Sequence, residues 1–474
     1  MGILTRKTKI ICTIGPSSHS EEMIERLIMA GMDVARLNSS HGTRESHEEV
    51  IRHIHNVSKR VLKPVAILFD LQGPKIRIGR FEKGSVYLNK DTEFIITTDR
   101  VIGTDKIVST SYSGLTGDVD VGDIILLDDG LLRFQVVERR EREVRCKVII
   151  GGLLRDNKGI NLPGVDIGMP SLTDKDREDI MFGIGEGIDY FGISFVIRPE
   201  DIREVKGIIS KSQKEIHVIA KLEKPQAIES LDEILKEGDG VMIARGDLGV
   251  EISPEHVPII QKEVIRRANE VKKPVITATQ MLESMIQHPI PTRAEASDVA
   301  NAIFDGTDAV MLSGETAVGK YPIESVEMMA RIIDTAESSI IHKRGYKGYE
   351  LDKELSFPEA VSNAAANTAY KIGAKAIVAF TQSGSTALLI SKDRPVVPII
   401  AFTPNEEIKR RLCLYWGVIP KIMEPIENTD ELIAQVDRLL LKEGMVRRGD
   451  SLVIIMGAPI SVMGSTNLMK VHRI

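Results

Sequence analysis

Apolar residues in this chain fall into short, near-continuous runs separated by stretches of helical period. The first run, residues 7–14, reads Lys-Thr-Lys-Ile-Ile-Cys-Thr-Ile and stops at Gly15-Pro16. Ser20 is placed to cap a helix opening on Glu21-Glu22, with an apolar stripe through Met23, Leu27 and Ile28 and an end at Gly31. A second run begins at Val34 and carries Arg36, Asn38 and Ser40 at alternate positions, so the three face one way. A helix over about 43–60 and a third run, Val65 to Asp70, follow. Strands apolar on both faces, alternating with helices, predict a parallel sheet.

The period changes at residue 72. From Gln72 to about Asp166, strand-like pieces alternate with glycine turns, and Asp129-Gly130 reads as a hairpin. The charged run Glu138-Arg-Arg-Glu-Arg-Glu fits a solvated hairpin in this insert. Strand and helix alternate again from about 170, with strands at Tyr190–Phe195, His217–Leu222, Val241–Ala244, Pro274–Thr279 and Asp308–Leu312. The helices between them include Glu178–Gly185, Ile228–Lys236, Glu255–Val271 and Thr292–Ile303. With the first three runs this makes eight β/α units, the number a closed parallel barrel needs. The C-terminal ends of these strands carry Asn38, Ser40, Asp70, Ser194, Lys221, Glu223, Asp247, Thr277, Thr279, Ser313 and Glu315. A barrel of this kind places its chemistry on that face.

A helix ending near His342 leads into a polar linker, Lys343 to Phe357. Beyond it come a helix from Pro358, a strand at Ala376–Phe380, and further strands near 396–402, 418–422 and 451–456 with helices between. The predicted fold is therefore α/β: a (β/α)8 TIM barrel with an inserted small β-barrel domain and a C-terminal doubly wound α/β domain. The segments are 1–71 and 169–343 for the barrel, 72–168 for the insert, and 356–474 for the C-terminal domain.

Composition narrows the function classes. The 474 residues are 42% hydrophobic and 27% charged with a net charge of −6, which argues against a general binder of nucleic acid or membrane surface. Three scattered cysteines, Cys12, Cys146 and Cys413, have no metal-ligand spacing and point to a reduced, cytoplasmic protein. Gly2 is followed by Arg6 where a myristoylation motif needs Ser or Thr, and the early basic residues run straight into a strand rather than a signal peptide.

The stretch Val218 to Glu251 holds the densest chemistry. Lys221 and Glu223 project together from one strand end, and Asp247 ends the next parallel strand after an intervening helix. Two carboxylates beside an ammonium suit a hard divalent cation and an anionic, phosphorylated substrate; a surface ion pair is the plainer alternative. Arg36 beside Asn38 and Ser40 fits bidentate phosphate binding or a structural ion pair. Thr381-Gln-Ser383-Gly384-Ser385-Thr386 opens a helix and reads as a phosphate cradle or as ordinary N-capping. Gly314 to Lys320 nearly matches a P-loop, but Tyr321 replaces the metal-holding hydroxyl, which favours a plain loop. Gly183-Ile-Gly185-Glu-Gly187 lacks dinucleotide spacing, and His41, His47, His53 and His55 fit a solvated face better than a metal site.

Five of these stretches resemble the pyruvate kinase family: Arg36-Leu-Asn-Ser-Ser-His-Gly, Ile219-Ala-Lys221-Leu-Glu223, Met242-Ile-Ala-Arg-Gly-Asp247-Leu-Gly, Ala278-Thr279-Gln-Met-Leu-Glu-Ser-Met and Met311-Leu-Ser-Gly-Glu-Thr. The resemblance spans the chain in order, and the start at the first barrel strand is similar to bacterial members. It implies phosphoryl transfer from phosphoenolpyruvate to ADP, giving pyruvate and ATP. Lys221, Arg36 and Thr279 would be catalytic, with Gly246 and Asp247 also binding substrate. Glu223 and Asp247 would hold Mg2+ or Mn2+. Arg77, Lys158, Asn38 and His41 would meet the nucleotide, with the insert as a lid. Asn38, Ser40, Asp70 and Leu71 match a monovalent-ion site, but Lys75 stands where many members carry a carboxylate. The expectation is that K+ is not required. Thr381, Ser383, Gly384, Ser385 and Thr386 match the effector site, which implies activation by a sugar phosphate or nucleoside monophosphate, with Arg447 or Arg448 as further phosphate contacts. The family is tetrameric, so a homotetramer is implied. A non-catalytic metabolite sensor and another magnesium barrel enzyme acting on pyruvate, such as an aldolase, are the alternatives.

Overall fold

The computed structural model describes residues 6–165, 168–339, 354–424, 428–457 and 466–474. The helix end expected near His342 and most of the linker 343–357 lie outside the described residues. Eight parallel strands close into a barrel: Lys9–Thr13, Val34–Asn38, Ala66–Asp70, Tyr190–Ile193, His217–Leu222, Gly240–Ala244, Val275–Ala278 and Ala309–Leu312. Lys9–Thr13 pairs with both Val34–Asn38 and Ala309–Leu312, which closes the ring.

The strands are apolar on both faces because each face is covered. Ile10, Cys12, Ala35, Ile67 and Val218 pack under the helices, while Ile11, Val34, Leu68, Ile219 and Met242 fill the barrel interior. Ser20 caps helix Glu21–Ala30 as expected, with its hydroxyl accepting from the Met23 N–H at 3.3 Å. The Gly183–Gly187 stretch is only the end of helix Asp174–Glu186. The P-loop lookalike is a short helix, Gly314–Ala317, whose Glu315 carboxylate accepts from the Ser313 and Leu282 N–H groups at 2.7 and 3.0 Å. Thr277 faces away from the barrel interior, 3.0 Å from the Thr307 hydroxyl, and so leaves the strand-end constellation.

The insert forms one six-stranded mixed sheet and a separate two-stranded sheet. The segment around Arg77-Ile78 joins both edges of the larger sheet through bridges to Gly159 and Thr110, as the small β-barrel expected there requires. The chain turns sharply at Gly151-Gly152, so strand Gly152–Arg155 leaves the larger sheet and pairs with Ser85–Leu88 instead. The hairpin at Asp129-Gly130 is present, joining antiparallel strands Ile124–Leu127 and Leu132–Arg139. The charged run turns over at the surface, where Arg140 pairs with Glu138 at 2.9 Å and Arg142 with Asp99 at 2.7 Å.

The C-terminal sheet has four parallel strands, Val418–Ile422, Ile399–Thr403, Ala376–Phe380 and Ser451–Gly457, and a fifth antiparallel one, Thr466–Arg473. That last strand has no apolar run to announce it; its alternate residues face solvent. This domain docks on the end of the barrel where the strands start. Asp308, just before strand Ala309–Leu312, meets Lys392 at 2.5 Å and Arg394 at 2.9 Å. Asp189 meets Arg410 at 3.0 Å, and the Tyr190 hydroxyl donates to the Arg411 carbonyl at 2.7 Å. The opposite end, where the strands stop, stays open to the insert.

The three cysteines are buried free thiols. Burial pushes the Cys146 and Cys413 thiols up to about 12, so neither is a ready nucleophile. Among the described residues, no helix is long and apolar enough to cross a membrane.

Candidate active site

Strand His217–Leu222 delivers Lys221 and then Glu223 to the open end of the barrel. The Lys221 ammonium lies 2.8 Å from Glu223 Oε1 and 3.3 Å from Asp70 Oδ1, and donates to Ser194 Oγ at 2.7 Å. Asp70 ends strand Ala66–Asp70 and takes two guanidinium donors of Arg36 on Oδ2, one of them Nε at 2.9 Å. Arg36 Nη1 donates to the Thr13 hydroxyl at 3.1 Å. Glu223 Oε2 accepts from the Phe195 N–H at 3.0 Å.

All four charges are buried: Asp70 is 1% exposed, Glu223 3%, Lys221 8% and Arg36 9%. Two cations and two anions cancel, and only such pairing makes their removal from water tolerable. Burial alone would lower the Lys221 value, but the charges of Asp70 and Glu223 outweigh it and raise it. Lys221 therefore stays an ammonium. Burial would raise Asp70, yet Lys221 and Arg36 hold it below the usual carboxylate range. Glu223 moves the other way: burial raises it, Lys221 opposes, and the nearby Asp247 charge raises it further.

Asp247 lies not on a strand but in the first turn of helix Arg245–Glu251, because the strand stops at Ala244 and the chain coils at once. Its carboxylate has no hydrogen bond or ion pair among the described residues and lines a cleft of about 500 Å³ between insert and barrel. Two repelling carboxylates, one buried and one unpaired beside a cleft, fit a divalent cation by the chemistry of their donors. Asp70 Oδ1, buried and without a hydrogen bond, faces the same cluster.

The other expected residues are placed as follows. Arg36 is engaged by Asp70, which is the ion-pair arrangement. The Gly246 N–H donates to the Thr279 hydroxyl at 2.7 Å. Asn38 Oδ1 accepts from the Ser40 N–H at 3.1 Å, and the Leu71 carbonyl accepts from Ser194 Oγ at 2.8 Å. His41 is exposed, and Lys75 is exposed on the cleft wall with no side-chain bond among the described residues. Arg77 donates to the Asn157 carbonyl at 3.0 Å and Lys158 meets Asp128 at 2.7 Å; both sit in the insert beside the cleft without lining it. Among the described residues no three His, Cys, Asp or Glu side chains gather as a metal cluster.

In the C-terminal loop, the Thr381 hydroxyl accepts from the Gly384 N–H at 2.9 Å, and Thr386 turns inward to Thr466 at 2.6 Å. Gly384 adopts φ 93 before helix Ser385–Lys392, leaving Ser383 and Ser385 together at the helix start, 3.1 Å apart. Arg447 and Arg448 are exposed in a separate loop, where the Arg447 N–H is taken by Asp450 at 2.8 Å.

Sequence reasoning passed over the contact that ties insert to barrel. Asn161 of the insert donates to Glu251 at 2.8 Å, and Glu251 also meets Lys224 at 2.5 Å. Nothing in the local pattern marks it, since its members lie up to 90 positions apart. Gly73, where the chain enters the insert, has φ 67 and packs so tightly on Phe195 that a Cβ would fall 2.8 Å from its ring. Its N–H donates to Asp176 at 3.1 Å, which anchors the hinge.

Comparison with known proteins agrees in both domains. The family model for the pyruvate kinase barrel domain matches residues 5–326, and that for the pyruvate kinase alpha/beta domain matches 359–472. Pyruvate kinase of Staphylococcus aureus strain MRSA252 is 48% identical over 471 residues, covering 99% of this chain and 80% of that protein. The strain USA300 protein matches with the same identity and coverage. A crystal structure of a pyruvate kinase from Cryptosporidium parvum superposes with a TM-score of 0.92 at 39% identity, covering 99% of this chain and 96% of that one.

Proposed function

The chain belongs to the pyruvate kinase family, and on that premise we propose how its barrel face carries a phosphoryl group from phosphoenolpyruvate to ADP, yielding pyruvate and ATP. The observation that carries this is the Lys221 ammonium held between Glu223 and Asp70, with unpaired Asp247 at the cleft edge. Phosphoryl transfer needs positioning and fixed positive charge more than covalent chemistry, and the cluster supplies both. A magnesium or manganese ion held by Glu223 and Asp247 would draw charge from the phosphoryl and enolate oxygens.

Lys221 faces the transferring group and stabilises the negative charge that grows on it and on the enolate. Arg36, braced by Asp70 and Thr13, grips a phosphoryl oxygen. The substrate carboxylate takes the N–H groups of Gly246 and Asp247, so it competes with the Thr279 hydroxyl for the first of them. That competition leaves the Thr279 hydroxyl beside C3 of the enolate, on the path of the proton that makes pyruvate. Arg77 and Lys158 reach the nucleotide phosphates from the insert, beside Asn38 and His41. The Asn161–Glu251 contact lets the insert close on the cleft and exclude water. The experiment is an assay of the protein with phosphoenolpyruvate, ADP and magnesium. Pyruvate and ATP should form together; pyruvate with free phosphate and no ATP would mean transfer to water instead of ADP, and no turnover would favour the aldolase-type or sensor readings.

The finer reading concerns potassium. Asn38, Ser40, Asp70 and the Leu71 carbonyl would make the monovalent site, and Lys75, four positions on from Leu71 and exposed on the cleft wall, has no side-chain partner among the described residues. It would supply the charge that the ion supplies elsewhere. Turnover in potassium-free buffer should match that in saturating potassium, and Lys75→Glu should make turnover rise at least about tenfold on adding potassium. A native enzyme that idles until potassium is added contradicts the reading.

The Ser383 and Ser385 hydroxyls at a helix start support an anionic effector in the C-terminal domain. A sugar phosphate or nucleoside monophosphate should shift the phosphoenolpyruvate saturation curve to lower concentration. A panel of both that leaves the curve unmoved would remove this assignment.

A further inference from the structure

One buried arginine has no part in the roles above. Arg245 follows strand Gly240–Ala244 directly and is 8% exposed. Its guanidinium crosses to the neighbouring strand end. Nη2 donates to the carbonyls of Thr279 at 2.9 Å and Gln280 at 3.1 Å, while Nη1 donates to Asp298 at 2.9 Å and Gln261 at 3.2 Å. Asp298 also balances the charge, at 2.7 Å through its second oxygen.

The two carbonyls belong to an unusual piece of backbone. Thr279 has φ 65 and Gln280 φ 54. Two successive side-chain-bearing residues in the left-handed region are uncommon, and a β-branched one there is an outlier. Such a conformation persists only where its surroundings over-determine it. The barrel ladder does not do so, because the register between these strands ends at Ala244↔Ala278. Past that point the hold on Thr279 comes from residues 245 and 246: the Arg245 fork on its carbonyl, and the Gly246 N–H on its hydroxyl at 2.7 Å. The hydroxyl in turn donates to the Ala278 carbonyl at 2.6 Å, which fixes its direction.

We infer that Arg245 is a positioning residue for the proton step: it clamps Thr279 in the left-handed conformation that aims its hydroxyl at the enolate carbon. Arg245 does not line the cleft. The clamp needs a planar fork that reaches two carbonyls and a carboxylate at once, which an ammonium on a lysine stem cannot match. The inference rests on the reading of Thr279 given above.

Arg245→Lys tests it, because the variant keeps a cation for Asp298 and loses the fork. Two rates are read: ATP formation, and exchange of the pyruvate methyl hydrogens with D2O in the presence of magnesium and inorganic phosphate. The exchange needs the proton step and no phosphoryl transfer. Both rates should fall about 100-fold while the KM for ADP stays within about twofold, since the loss is one of alignment. Adding Gln280→Gly to Arg245→Lys should recover about tenfold of the exchange, because glycine holds a positive φ without a clamp. Should Arg245→Lys not fold, Asp298→Ala loosens the same guanidinium from a partly exposed site and should cost about tenfold in exchange. Exchange left intact in these variants, or no recovery with Gln280→Gly, overturns the inference. If the native protein makes no pyruvate and ATP, the functional reading itself fails, and that outcome is distinct from active protein whose exchange ignores Arg245.

Discussion

Lys221→Met lowers kcat for ATP formation by about a thousandfold, the size of effect that loss of a preorganised charge at developing negative charge produces. Methionine roughly fills the lysine stem's volume, so packing changes little. What goes is the cation that touches both Glu223 and Asp70. Asp70 keeps Arg36, but Glu223 then faces Asp247 without an internal counter-charge. Removing the neighbouring ammonium leaves Glu223 and Asp247 at least as attractive to a divalent ion, so metal affinity should hold or rise while kcat falls. The KM for ADP should hardly move, because Lys221 does not meet the nucleotide. Steady-state kinetics across magnesium concentration check this, and a kcat within tenfold of native would remove Lys221 from the chemistry.

Asp308→Ala costs about 3–5 kcal/mol of stability, the penalty for stripping one partner from a buried ion cluster. Asp308 is 1% exposed and is shared by Lys392, Arg394 and the Val275 N–H at 2.7 Å. Burial already pushes the Lys392 ammonium down to about 7, against the pull of Asp308. Without that carboxylate Lys392 sheds its proton, which limits the cost, but Arg394 cannot do the same. The midpoint of urea unfolding should fall, and the C-terminal domain should loosen before the barrel. A change under about 1 kcal/mol would mean that water or neighbouring dipoles carry the cluster.

The barrel was legible because its strands are covered on both faces. Each becomes an unbroken apolar run, and Asp70 and Lys221 stand out at the ends of theirs. Strand Thr466–Arg473 escaped notice because its apolar and polar residues are not sorted by face: Met469 and Val471 share the exposed face with Asn467 and Arg473, while Lys470 and His472 lie on the half-buried one. The insert's split into two sheets depends on how Gly151-Gly152 turns, which composition alone does not reveal. In the site, Lys221 and Glu223 were readable from the period of a single strand. The helical placement of Asp247 was not, because Arg-Gly-Asp-Leu-Gly continues an apolar strand without a cap signal. The Arg245 clamp was hidden for a different reason. The two acceptors that make the clamp are main-chain carbonyls 34 and 35 residues away, and no side chain at Thr279 or Gln280 advertises a left-handed backbone.

The most direct measurement of the account is a phosphorus and proton NMR time course of the native protein with phosphoenolpyruvate, ADP and magnesium, run in sodium- and potassium-free buffer. The account predicts loss of phosphoenolpyruvate matched one for one by pyruvate and the γ-phosphate of ATP, stopping on chelation of the divalent ion. Pyruvate appearing without ATP, or an unchanged spectrum even after potassium and anionic effectors are added, would contradict it.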